Sequence, residues 1–137
     1  MKAGEYDLHA YGGVYILAHF EKRVPRGPAD HLDDRVIYVG EGNHLGRRWY
    51  QFERSAFHEL PGHSGGHSHR RWCETSGAQW KSLHVAAFPI WFRNEGDTDA
   101  SGSLARRFRL HVEQLVLWQI IRHRTARDRP LDLLNVK

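Results

Sequence analysis

Five residues spread along the chain carry side chains suited to one reaction. Tyr15 closes the run Gly13-Val14-Tyr15, Tyr38 opens Tyr38-Val39-Gly40, and Arg48 follows Tyr38 by ten residues. Glu113 sits in the apolar stretch Leu110-His111-Val112-Glu113-Gln114-Leu115-Val116-Leu117-Trp118, and Asn135 follows Leu133-Leu134. Hydroxyls, a cation and a metal-binding carboxylate are what phosphodiester cleavage requires. Arginine suits a phosphate because its planar fork donates two hydrogen bonds at once. A carboxylate among apolar residues is costly unless a cation or metal partners it, and Leu110, Val116 and Leu117 share the flank of Glu113 at helical spacing. Each residue also has a plain structural alternative. These are two half-buried strand tyrosines, a surface arginine on an amphipathic helix, a buried salt bridge from Glu113 to an arginine such as Arg109, and an asparagine in a terminal turn.

The elements that must position these residues follow from pattern. Residues 12–20 read as a strand bounded by glycines, 21–34 as an exposed loop with Pro25, Gly27 and Pro28, and 35–40 as a β-branched second strand. Asn43 is placed to cap a helix running from near His44 toward Leu60, where Pro61-Gly62 stops it. Residues 61–79, rich in Gly, Ser and His, look irregular. Residues 81–92 read as a third strand, with Pro89 marking an edge or a bulge. An acidic turn over 94–102 leads to Ser103, a good N-cap for a long helix to about Arg124. Residues 131–136 then pack back as a tail. The expectation is one α/β or α+β domain over residues 1–137, with a small central sheet of about three strands flanked by helices. Strands sit about 4.8 Å apart, so the two tyrosine hydroxyls can converge if they share a face.

Two tyrosines in short glycine-bounded strands, then an arginine, a glutamate and an asparagine, in that order, resemble the GIY-YIG nuclease family. The likeness spans Gly13 to Asn135, with Leu45 also in its expected place. It implies a metal-dependent endonuclease, with DNA as the expected substrate. Carried over residue by residue, Tyr15 is the proton acceptor for the attacking water and Tyr38 its partner. Arg48 steadies the scissile phosphate, and Glu113 is the protein ligand of a divalent ion, Mg²⁺ or Mn²⁺. One carboxylate with waters and phosphate oxygens is a normal shell for Mg²⁺. Asn135 binds phosphate or braces the site. Tyr15, Tyr38, Arg48 and Glu113 are then expected on one concave surface. The chain departs from the family at Phe52, where His or Tyr is usual, and at Glu41, where a basic or small polar residue is usual. The loop between the two strand motifs is also longer. His44 and His58 are the histidines at hand to replace the one missing at Phe52. The departures favour the alternative of a catalytically weak nucleic-acid-binding module that keeps the fold.

Composition is that of a globular protein of 137 residues, 40% hydrophobic and 26% charged, with no apolar run of membrane-spanning length. One cysteine excludes an internal disulfide and fits a reducing compartment. With no apolar signal core near the N-terminus, a cytoplasmic location is expected. The net charge of +4 is unevenly spread. Residues 1–43 hold seven acids against five bases, whereas 105–129 hold seven arginines against two acids. A basic half suits a polyanion or, equally, a solvated helix face. Arg47, His44, His63, His67, Arg70 and Arg71 are the expected nucleic-acid contacts, the last four on a flexible loop. A rival reading of that loop is a zinc site from His63, His67, His69 and Cys73 in an interaction protein.

Overall fold

The computed structural model describes residues 11–58, 60, 61, 63–77, 82–91 and 100–135. Within them the order is β1 (Gly12–His19), β2 (Val36–Gly42), α1 (Leu45–His58), α2 (Ser64–Ser76), β3 (Leu83–Trp91) and α3 (Ala100–Ala126). The strands form an antiparallel sheet in the order β2-β1-β3, an α+β fold. β1 is central and buried along its whole length, so alternate residues must be apolar on both faces. Val14, Ile16 and Ala18 point to one side and pack with Val36 and Val39 against Leu117 and Ile120 of α3. Tyr15 and Leu17 point to the other side and meet Tyr38, Leu45, Phe52 and Ala56. Each aliphatic or aromatic side chain buried in this way contributes roughly 1.5–3 kcal/mol. The result is three layers, with α3 on one face of the sheet and the α1 pair with α2 on the other.

The C-terminal tail closes the outer edge of β2. Leu134 N–H donates to Ile37 O at 2.7 Å, and Leu133 is buried in the α3-side core. Arg124, 1% exposed, ties three segments together by donating to the carbonyls of Leu131, Asp33 and Val36. As expected, β3 is an edge strand, and the ladder shifts register beside Pro89.

Three expectations are corrected. Residues 64–76 are helical, not irregular. Their helix begins at His63, whose ring Nδ1 accepts the Gly66 N–H, and ends at Gly77, whose positive φ of 74° closes the last turn with an N–H to Cys73 O. The cap of α1 is supplied by His44, whose Nδ1 accepts from Arg47 N–H at 3.1 Å, rather than by Asn43. The long helix begins at Ala100, so Ser103 lies inside it and residues 100–102 are helical. Residues 94–99 of the expected acidic turn, and Val136 of the tail, lie outside the described residues.

Candidate functional site

The antiparallel register sets Tyr15 directly across from Gly40, and Leu17 across from Tyr38. The Tyr15 ring lies over Gly40, where a Cβ would stand 2.4 Å from its Cζ. The glycine of Tyr38-Val39-Gly40 thus makes room for the tyrosine of Gly13-Val14-Tyr15. Tyr38 lies diagonally across the ladder, ring centroid 6.2 Å from that of Tyr15, and Trp49 of α1 meets Tyr15 edge-on at 6.0 Å. Gly40→Ala is expected to displace the Tyr15 ring and destabilise the fold by roughly 1–3 kcal/mol, the usual cost of overpacking, read by chemical denaturation.

Arg48, on the first turns of α1, reaches the same place. Its charge acts on both tyrosine hydroxyls. Burial dominates even so. It pushes the Tyr15 hydroxyl far above its ordinary range, with Tyr38 adding to the effect, and it raises Tyr38 as well. Arg48 also donates to Gln51 Oε1 at 3.3 Å.

His63 completes this cluster, and it is a residue that sequence reasoning misplaced on the phosphate-contacting loop. It is 2% exposed, its ring packed against Tyr38 and Phe52, with Nε2 3.1 Å from the Tyr15 hydroxyl. Because Nδ1 accepts the Gly66 N–H, the neutral ring carries its proton on Nε2 and donates to the Tyr15 oxygen. Burial, followed by the charge of Arg48, pushes His63 down to about 4. A histidine depressed from an ordinary 6.5 stabilises the neutral fold above that value, and this stability is lost as pH falls from about 6.5 toward about 4. The melting temperature is therefore expected to drop across this window, and to drop less in His63→Asn, which keeps a cap acceptor without a titrating ring. Thermal melts at stepped pH read the difference.

Glu113 comes from α3, whose Leu117 and Ile120 pack on the sheet face that Tyr15 and Tyr38 turn away from. Two hollows bear on the expected single concave surface. Glu113 and Asn135 line one hollow with Leu117, Trp118 and Ile121. Arg48 lines another with Glu41, His44, Arg47 and Arg109. Tyr15 is 0% exposed and lies beneath the surface. Electrostatics links the parts. Burial and then Glu41 raise the Glu113 carboxyl, while its hydrogen bond from Gln114 and the charge of Arg48 oppose the rise. The Glu113 charge in turn acts on both tyrosines.

Two other residues find definite roles. Arg109, the arginine named as an alternative partner of Glu113, donates its Nε to Glu41 Oε2 at 3.1 Å, with the two side chains 2% and 19% exposed. The unusual acid at position 41 is thus the counter-ion of a buried arginine. Asn135 spends its amide on bracing. Its Oδ1 accepts from Val39 N–H at 2.9 Å and its Nδ2 donates to Val39 O at 2.8 Å, behind Tyr38 and Gly40.

The expected nucleic-acid contacts separate. Arg47 and Arg71 are exposed, while His44 lines the Arg48 hollow. His67 is half-buried, and Arg70 faces Glu74 at 3.4 Å and Ala56 O at 3.4 Å. His63 is corrected as a phosphate contact because its ring is buried against Tyr15. Arg109 and Arg124, both 1% exposed, are likewise withdrawn from the basic face. Phe52 is buried, its ring packed against those of His63 and His69. The expected zinc set is also rearranged. Among the described residues the donors within 4.8 Å of one another are those of His69, Cys73 and His19. Strand alternation through 15, 17 and 19 was the available signal that His19 shares the Tyr15 face.

Compared with protein-family models, curated proteins and solved structures, the chain matches none. No helix among the described residues is long and apolar enough to cross a membrane.

Proposed function

We propose that the protein is a metal-dependent endonuclease that hydrolyses phosphodiester bonds in nucleic acid, with DNA as the first substrate to test. The observation that carries this reading is the convergence of Tyr15, Tyr38 and Arg48, with the charge of Glu113 acting on both hydroxyls. Mg²⁺ or Mn²⁺ fits the donor set. Glu113 is a partly desolvated carboxylate raised further by Glu41, and a divalent cation relieves that repulsion. Bound at Glu113, the ion would supply a more acidic water and neutralise developing negative charge.

The chain's own residues do the rest. Arg48 and the exposed Arg47 hold the phosphate at the mouth of their hollow. His63 donates to the Tyr15 oxygen, so the hydroxyl proton of Tyr15 turns away from His63 and a phenolate there is met by a hydrogen bond. Asn135 fixes the β2 backbone on which Tyr38 stands. The complete burial of Tyr15 favours a second reading, a nucleic-acid-binding module that retains the fold without turnover. Incubating the protein with plasmid, single-stranded DNA and RNA, with Mg²⁺, Mn²⁺ or EDTA, tests the two. Metal-dependent cutting supports the enzyme, and salt-sensitive binding without cutting supports the module.

A further inference from the structure

Away from Glu113, α2 and the end of β1 bring together two imidazoles and a thiol. His69 and Cys73 are four residues apart on one face of α2, and His19 is the last residue of β1. His19 Nε2 and His69 Nε2 are 2.9 Å apart, and Cys73 Sγ is 3.5 Å from His69 Nε2. All three donors lie within 4.8 Å of one another. Metal–nitrogen and metal–sulfur bonds of about 2.0 and 2.3 Å at tetrahedral angles require edges of about 3.3 Å between nitrogens and about 3.5 Å between nitrogen and sulfur. We propose that His19, His69 and Cys73 form a zinc site that pins α2 against β1, independent of the nuclease reading and of any ion at Glu113.

The donor types choose the metal. Two imidazoles and a thiol suit Zn²⁺, whereas Mg²⁺ and Ca²⁺ require oxygen. The arrangement of the rings points the same way. They stack at 5.2 Å with nitrogen facing nitrogen, so without a cation one proton must serve both, whereas a cation takes a lone pair from each. The Cys73 sulfur is within 4.0 Å of both His69 nitrogens and therefore sits beside the ring. Binding breaks the S–H bond, the sulfur keeps the electron pair for the metal, and the proton leaves to water. Three protein ligands leave one position for water. The hollow beside His19, lined by Glu21, Asp34 and Asp132 together with Lys22 and Arg35, gives a cation a way in. The consequence reaches the first cluster, because the helix so pinned begins at His63, which holds the Tyr15 hydroxyl.

The test is metal analysis of the full chain, purified without a histidine tag and without added metal. Cobalt substitution and thermal melts follow. Zinc is expected in stoichiometric amount. Cobalt should give tetrahedral visible bands and a near-ultraviolet thiolate charge-transfer band. Cys73→Ala should lose that band and weaken zinc binding at least about tenfold, and a chelator should lower the melting temperature of wild type but not of Cys73→Ala. Glu113→Gln should keep its zinc, which separates this site from the proposed nuclease centre. A folded wild type that takes up neither zinc nor cobalt with a thiolate band overturns the proposal, as does equal binding by wild type and Cys73→Ala. If Cys73→Ala fails to fold, the wild-type cobalt spectrum alone decides, the thiolate band being required.

Discussion

Glu113→Gln should lower metal-dependent cleavage by at least about a hundredfold while leaving the melting temperature at or slightly above that of wild type. The substitution keeps shape and removes the charge that a divalent cation needs. Stability should not suffer, because the fold holds the Glu113 carboxyl above its ordinary range, by burial first and Glu41 second. A carboxyl raised on folding weakens the fold as pH rises past its unfolded value, so a neutral amide removes a small penalty at pH 7. Binding to nucleic acid without metal should hold or improve, since a carboxylate facing phosphate repels it. A Glu113→Gln protein that melts normally and cuts DNA at the wild-type rate would eliminate the mechanism.

Glu41→Gln should do the reverse, with its main effect on stability. It removes the Glu41 carboxylate from Arg109, whose side chain is 2% exposed. Losing one partner of a buried pair costs about 3 kcal/mol, which in a domain of this size lowers the melting temperature by about 10 °C. The double change Glu41→Leu with Arg109→Met should recover part of that loss, because it removes both charges of the pair together. The same Glu41→Gln chain should show the Glu113 carboxyl titrating lower, since its repulsive neighbour has gone. A melting temperature within a degree or so of wild type would remove the Glu41–Arg109 pair from any account of stability.

The contrast between these two acids bears on what could be read from the chain alone. The three strands, α1 and α3 follow from β-branched alternation and helical spacing, and the meeting of Tyr15 with Tyr38 follows from their register across Gly40. α2 was hidden because Ser64 to Ser76 has the composition of a loop. It is held by tertiary features invisible in a propensity. A histidine caps it, and its first turn presses so closely that a Cβ on Gly65 would meet the Tyr38 ring at 2.6 Å and one on Gly66 the Phe52 carbonyl at 2.7 Å. The Glu113 helix was legible, but the sheet face it covers was not, since a helix does not encode which side of a sheet it joins. Glu41 read as a departure from the family because its partner, Arg109, is 68 residues away. His63 was misplaced and His19 missed for a related reason: eleven histidines dilute the two that matter here, and only a packed structure separates ring from ring.

The bond pair from Asn135 to Val39 also acts at the border of the sheet. By occupying both the N–H and the C=O of one β2 residue, a side-chain amide imitates the next strand, and Leu134 extends the imitation to Ile37. An uncovered strand border is a template on which a second chain can assemble edge to edge. Clipping the chain after residue 130 would therefore loosen the tyrosine-bearing strand and expose an adhesive border at once. Loss of function and self-association should appear together in such a fragment, with the same few residues acting as brace and as guard.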